Sequence, residues 1–314
     1  LEKIGNQLAL KTHGTVLRIN MNNLAHNLNI YRAMLNPGVK TMAMVKAFSY
    51  GSGQAEIARL LANQRVDYLA VAYADEGADL RRQGIRLPIM VMNPEPETFD
   101  QLKQYQLEPE IYSIEILKAF IQSIGKDDAS IHIKIDTGMH RLGFVENDIP
   151  ELLVLLKSHQ HIRVASIFSH LAGADENKHD NFSEHQITLF NKIASSIQTT
   201  LGYQPLRHIL NSSGISRMPH AQFDMVRLGI GLYGVDPSAV LQNTLLPVGT
   251  LQTNIAQIHD VKQGESIGYS RSFIADKNMR IATINIGYAD GFSRRMSNGK
   301  GMVWLHQKTA PIVG

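Results

Sequence analysis

Between about residues 40 and 233, short β-branched or apolar runs alternate with amphipathic stretches, the period that a parallel sheet built from βα units demands. The strand-like runs fall at 40–45, 67–71, 88–92, 108–112, 130–135, 163–169, 207–210 and 225–229, and eight of them predict a closed (β/α)8 barrel. The fourth is the least well patterned. The intervening helices are legible from their faces. In 22–35, Leu24, Leu28, Tyr31 and Leu35 recur at spacings of four, three and four, which puts one apolar stripe against a sheet, and Pro37-Gly38 stops the helix. In 180–198, Phe182, Leu189, Ile193 and Ile197 form a similar stripe.

After Asp236-Pro237 the character changes. Runs at 255–261, 280–286 and 302–306 read as strands, separated by glycines and with no convincing helix among them, so a smaller, mostly β domain is expected to follow the barrel. The expected division is a leader or linker over 1–14, a barrel over 15–237 and a β-rich domain over 238–314. The abrupt end at Gly314 suggests that this last domain is truncated.

With 314 residues, 44% of them apolar, the chain can bury a large core. Its 31 basic and 28 acidic residues nearly balance, and the pairs Arg81-Arg82 and Arg294-Arg295 read as solvated faces, which gives nucleic-acid binding no support. Without cysteine there are neither disulfides nor thiolate zinc sites. The histidine clusters lack a helical pair with carboxylate support, so no metal is expected. No run is long enough to span a membrane and no signal peptide opens the sequence, which reads as cytoplasmic.

One segment carries chemistry on its own terms. Met44-Val45-Lys46-Ala47-Phe48-Ser49-Tyr50-Gly51-Ser52-Gly53 sets a lysine where an apolar strand gives way to a small-residue loop, the catalytic face of a barrel. An amine in apolar surroundings loses proton affinity and can form Schiff bases with carbonyls. The alternative is a lysine at a strand end with its head in water. Gly229-Ile230-Gly231-Leu232-Tyr233-Gly234 satisfies the dinucleotide G-x-G-x-x-G pattern. No convincing helix follows it, and no acidic residue ends a strand about 20 positions on, so a Rossmann site is rejected.

The lysine segment resembles the cofactor-lysine motif of bacterial alanine racemases at Val45-Lys46-Ala47, Tyr50-Gly51 and Gly53, departing from it at Phe48, Ser49 and Ser52. Further segments resemble that family in the same order: Lys134 to Gly143, Ser169 to Glu176, Asn211-Ser212-Ser213, Val226 to Ile230, Gly268-Tyr269 and Ile286 to Gly291. The resemblance covers about residues 15–314. It implies an isomerase that interconverts L- and D-alanine for peptidoglycan precursors, with pyridoxal 5′-phosphate (PLP) on Lys46.

It also implies roles. Arg227 resembles the partner of the cofactor's pyridine nitrogen. A guanidinium donates only, so that nitrogen would stay unprotonated and be a weaker electron sink, favouring return of a proton over decarboxylation or transamination. Racemisation needs a base on each face, and the resemblance assigns them to Lys46 and to Tyr269 of a neighbouring subunit, which makes a homodimer with shared sites. A tyrosine with an ordinary pKa of about 10 is a poor base, and His170 with Arg227 would supply a positively charged relay to it. Arg141 resembles the arginine that orients the substrate carboxylate. Lys134 occupies the place of a lysine that many members carbamylate. Phosphate would be held by Tyr50, by Asn211 and Ser212 at a short helix, and by Gly229 and Ile230 after the eighth strand. Read alone, each has a plain alternative: Arg227 as a strand cap, Tyr269 as a half-buried strand residue, His170 as a core histidine and Lys134 as a surface lysine.

Rival readings are racemisation of serine, lysine or a broad range of amino acids, a non-catalytic PLP carrier, and a related decarboxylase. The β-rich region argues against the carrier, and Arg227 in place of an acidic group argues against the decarboxylase. The N-terminal lead and the lysine-loop variant resemble racemases fused behind a cell-wall peptide ligase module.

Overall fold

Parallel strands grow wherever the sequence offers a run that can be buried on both faces, and the eight expected runs all do so. The computed structural model describes residues 14–314, so the expected leader, apart from Gly14, lies outside the described residues. After β1 (Val16–Ile19) come β2 (Lys40–Met44), β3 (Tyr68–Val71), β4 (Ile89–Val91), β5 (Glu108–Ile111), β6 (Ala129–Lys134), β7 (Ile162–Phe168), β8 (Leu206–His208) and β9 (Met225–Leu228). From β2 onward they form one parallel sheet in the order β8-β7-β6-β5-β4-β3-β2-β9. Between its end strands, Asp224 N–H donates to Arg207 O and Arg227 N–H to Leu210 O, both at 3.0 Å, which all but closes the barrel.

Alternation along these strands makes two cores. Residues such as Ile131, Ile133 and Ile135 turn outward and pack under the helices in the main apolar cluster. Those of opposite parity turn inward, where Met42, Met44, Ala70, Met90, Phe168 and Met225 form a second cluster. The remaining inward positions are polar: Glu110, His132, Ser166, His208 and Arg227 are all buried.

The helix Met21–Arg32 starts at Asn20, whose side chain accepts from Asn22 N and Asn23 N at 3.1 Å. It buries Leu24, Leu28 and Tyr31 as expected and ends three residues early, because Asn36 N–H is taken by Gln222 Oε1 and Pro37 cannot continue a helix. In the helix Asp180–Leu201 the buried face includes Ile187, Phe190, Ile193 and Ile197. Phe182 departs from the expected stripe and is exposed, its ring edge 2.9 Å from where a Cβ on Gly138 would sit.

Two compact units emerge, Ile19–Gly249 and Thr250–Gly314 with the described residues before Ile19. The second contains three antiparallel pairs, Ile255–Val261 with Met279–Ile284, Ser266–Ile267 with Phe273–Ile274, and Met302–Leu305 with Lys308–Pro311. It has no α-helix, and no residue of these strands is fully buried. No helix among the described residues is long and apolar enough to cross a membrane.

Behind β9, a Cβ on Gly231 would lie 2.1 Å from the hydroxyl and 2.5 Å from the ring carbon of the fully buried Tyr31. Gly231→Ala is therefore expected to destabilise the protein by about 1–3 kcal/mol, read as a lowered urea midpoint with an unchanged slope.

Candidate active site

Lys46 directly follows Val45 at the carboxyl end of β2, and the chain then does something rare. Ala47, Phe48, Ser49 and Tyr50 all have φ between 51° and 55°, one turn of left-handed helix without a glycine. Such a conformation costs roughly 1–2 kcal/mol per residue, so tertiary contacts must hold it. Glu76 does so, accepting from Ala47 N and from Ala72 N at 2.6 Å and thereby tying the ends of β2 and β3 together. Burial lowers the pKa of the Lys46 amine, Arg141 and Arg227 lower it further, and Glu110 and Glu76 oppose the fall.

Arg227 stands at the centre of the mouth, 3% exposed. Its Nη1 donates to His208 Nδ1 at 2.7 Å and to His208 O at 3.3 Å, and its Nη2 to Ser169 O at 2.7 Å, Ile209 O at 3.0 Å and His170 Nδ1 at 3.1 Å. No protein acceptor among the described residues takes its Nε–H. Because a guanidinium only donates, both imidazoles must present a bare Nδ1 and carry their proton on Nε2. Burial and the nearby Arg227 charge push both histidines well below their ordinary pKa. Burial likewise lowers Arg227, to about 10, which leaves it charged at neutral pH. The positive charge of the expected relay thus belongs to Arg227 alone, and His170 is its neutral neighbour. The Phe168 ring stacks on His208 at 4.9 Å, with Lys134 Nζ 4.3 Å from its centroid.

Lys46, Lys134, Arg141 and Glu110 line one cavity of about 160 Å³, together with Ala72, Tyr73, Met92 and Asn93. Lys134 is buried, not at the surface, and its Nζ lies 3.9 Å from Glu110 Oε1. Burial pulls that amine down to about 8, with Arg227 and Arg141 adding to the fall and Glu110 opposing it. Arg141 is carried by a loop that folds back on β6 through Phe144 N–H to Lys134 O at 2.9 Å and Asp136 N–H to Phe144 O at 3.0 Å. That return needs Gly143, whose φ is 130° and whose added Cβ would meet Asp136 N at 2.5 Å.

A third group gathers beside β9. Asn211 caps the short helix Ser212–Arg217 by accepting from Gly214 N at 2.9 Å. Ser212 Oγ accepts from Gly229 N at 3.0 Å and from Gly231 N at 3.3 Å, which folds Ile230–Tyr233 into a single 3-10 turn. A Cβ on Gly229 would lie 2.9 Å from the Tyr50 hydroxyl, so only glycine leaves that space open. Tyr269 belongs to the other unit, follows Gly268 at φ 78° and is 81% exposed.

Several polar residues of this region escaped the sequence reading: Glu110 beside Lys134, Glu76 under the lysine loop, and His208 against Arg227. Glu110, Lys134, His208 and Arg227 all point into the barrel from strands, and a polar residue at every second position of an otherwise apolar strand was the available signal.

From residue 19 to 237 the sequence matches the family described as alanine racemase, N-terminal domain, and from 248 to 314 that described as alanine racemase, C-terminal domain. It is 36% identical over 307 residues to an alanine racemase of Clostridium novyi (strain NT), covering 94% of this chain and 78% of that protein. An amino-acid racemase of Enterococcus faecalis is 36% identical over 310 residues, 96% of this chain and 43% of that protein. The structure of an alanine racemase of Clostridium difficile 630 matches with a TM-score of 0.87 at 34% identity, covering 96% of this chain and 80% of that one.

Glu110 is the one acidic residue lining the cavity; burial raises its pKa, and Lys134, Arg227 and Arg141 oppose the rise. In Glu110→Gln the ammonium form of Lys46 loses a stabilising charge, so its pKa should fall further. The pH midpoint for reductive methylation of Lys46, followed by peptide mass mapping, is expected to move to lower pH; a move to higher pH would contradict the assignment.

Proposed function

The chain belongs to the alanine racemase family, an isomerase family, and from that footing we propose how its own side chains interconvert L- and D-alanine. The observation that carries the proposal is Lys46, an amine of lowered pKa that shares one cavity with Arg141 at the carboxyl end of the barrel.

The donor set fits pyridoxal 5′-phosphate. Lys46 would hold its aldehyde end. Arg227 would face the ring nitrogen with the one N–H not spent on protein, and being a donor only it would leave that nitrogen unprotonated. Tyr50, Asn211, Ser212 and the backbone at Gly229 and Ile230 would hold the phosphate, in the space that a Cβ on Gly229 would fill. His170, neutral and bonded to Arg227, would lie against the ring. When bound, the cofactor delocalises the electron pair left behind as the α-proton departs.

Everything else falls to this chain's residues. Arg141 binds the substrate carboxylate and fixes which face the α-proton presents. The Lys46 amine takes or returns that proton on one face. Tyr269 of the partner subunit serves the other face, which makes the working form a homodimer. The Lys134 amine lies 3.9 Å from Glu110 Oε1, and burial lowers the pKa of the amine while it raises that of the carboxyl. We place the activity in the cytoplasm, where its D-alanine would enter peptidoglycan precursors. The similarity to the Enterococcus faecalis amino-acid racemase supports a second reading, that another amino acid is accepted beside alanine.

Loaded with pyridoxal 5′-phosphate, the wild type is expected to interconvert both alanine enantiomers in a chiral assay, with serine and lysine as further substrates to compare. Tyr269→Phe should lose about 10²- to 10⁴-fold in rate while retaining the cofactor's absorption. Equal rates in that variant would exclude Tyr269 as the second base. Borohydride reduction and peptide mapping should label Lys46, and a label elsewhere would overturn the central assignment.

A further inference from the structure

Below Arg227 the polar half of the barrel continues as an unbroken line of hydrogen bonds. His208 Nε2 lies 2.8 Å from Ser166 Oγ, Ser166 Oγ lies 2.6 Å from His132 Nδ1, and His132 Nε2 lies 2.9 Å from Glu108 Oε2. His132, Ser166 and His208 are each 0% exposed, whereas the Glu108 side chain is 20% exposed at the start of β5. In a parallel barrel the strand starts mark the face opposite the catalytic loops, so this line joins the two ends of the interior.

The proton positions along it follow from one end. Arg227 can only donate, so His208 Nδ1 is an acceptor and the His208 proton sits on Nε2, pointing at Ser166. The Ser166 oxygen accepts it, and the Ser166 hydroxyl then has one remaining partner, His132 Nδ1, which must be bare. The His132 proton is left on Nε2, pointing at the Glu108 carboxylate, an acceptor. Every link therefore donates in the same direction, from the guanidinium to the carboxylate. Neither end group can reverse its role, and aligned bonds of this kind strengthen one another in a low dielectric.

We propose that Glu108 is a positioning residue for the active site, acting on Arg227 through His132, Ser166 and His208. The carboxylate makes His132 a better acceptor for Ser166, Ser166 a better acceptor for His208, and His208 Nδ1 a better acceptor for Arg227 Nη1. A firmly held Nη1 fixes the guanidinium plane and hence the direction of its uncommitted Nε–H. This rests on the reading above that Nε–H faces the cofactor's ring nitrogen; the direction of the line itself does not.

The test uses the purified, cofactor-loaded protein with ¹⁵N-labelled histidine, the signals assigned through His132→Gln and His208→Gln. Both residues should appear as neutral rings protonated on Nε2. Glu108→Gln keeps an oxygen for His132 but removes the charge. It is expected to shift the His208 Nδ1 resonance toward a weaker hydrogen bond, to move the absorption maximum of the bound cofactor, and to lower kcat about threefold with KM for alanine nearly unchanged. In a Ser166→Ala background, which cuts the line at its middle, the same substitution should produce no further change in any of the three. A charged His132, an Nδ1-protonated His208, or an effect of Glu108→Gln equally large in the Ser166→Ala background would overturn the proposal. The two readings fail separately. A protein that takes up no pyridoxal 5′-phosphate yet shows both rings protonated on Nε2 defeats the cofactor reading and supports the line's direction, and one that racemises alanine with His132 charged defeats the line alone.

Discussion

A guanidinium buried inside a protein must have its donors satisfied or the fold will not form, and Arg227 imposes that condition on the whole carboxyl end of the barrel. Its direct partners are all uncharged: two imidazole nitrogens and the backbone carbonyls of Ser169, His208 and Ile209. Those carbonyls belong to the end of β8 and to the segments just past β7 and β8, so a single side chain from β9 holds the termini of two neighbouring strands. Glu110 supplies opposite charge from a distance, not by contact. The arginine assigned to the cofactor is thus also what holds the sheet together near its closure, and fold and site cannot be varied independently there.

The barrel interior is divided about its axis. From β2 to β4 the inward residues are Met42, Met44, Ala70 and Met90 with Tyr68 and Met92, soft and mostly without hydrogen-bonding demands. From β5 to β9 they are mainly glutamates, histidines, a lysine, a serine and an arginine, whose geometries constrain one another, with Phe168, Leu206 and Met225 as the apolar exceptions. Phe168 lies between the two kinds of lining, packed in the methionine cluster while stacked on His208 and lying near Lys134 and Arg227. Each half has its own physical logic. The first fills volume, and the second sets charge and proton position.

Much of this was legible in the sequence, and the rest has identifiable reasons. Strands and their order follow from period, and the poorly patterned run 108–112 is a strand because its two glutamates face a polar interior, not because its residues favour strands. Lys46, Arg141, Arg227 and the Asn211-Ser212 and Gly229-Ile230 pieces could be singled out by resemblance, and the structure brings those of the barrel to one mouth. The line from Glu108 to His208 was not legible, since its members lie on four different strands and only register brings them into contact. Phe182 misled because an aromatic ring at helical spacing reads as core, while here it covers a loop glycine.

The left-handed turn after Lys46 has a consequence for how reactivity arises during biosynthesis. Nothing in Ala47-Phe48-Ser49-Tyr50 favours that shape locally, and glycine enters only at its end, at Gly51, so a nascent chain has little reason to adopt it before β3 and the helix bearing Glu76 are in place. The lysine's poise is therefore a property of completed assembly. Until the sheet is formed the amine is an ordinary hydrated ammonium, less reactive toward carbonyl compounds than the buried amine of lowered pKa.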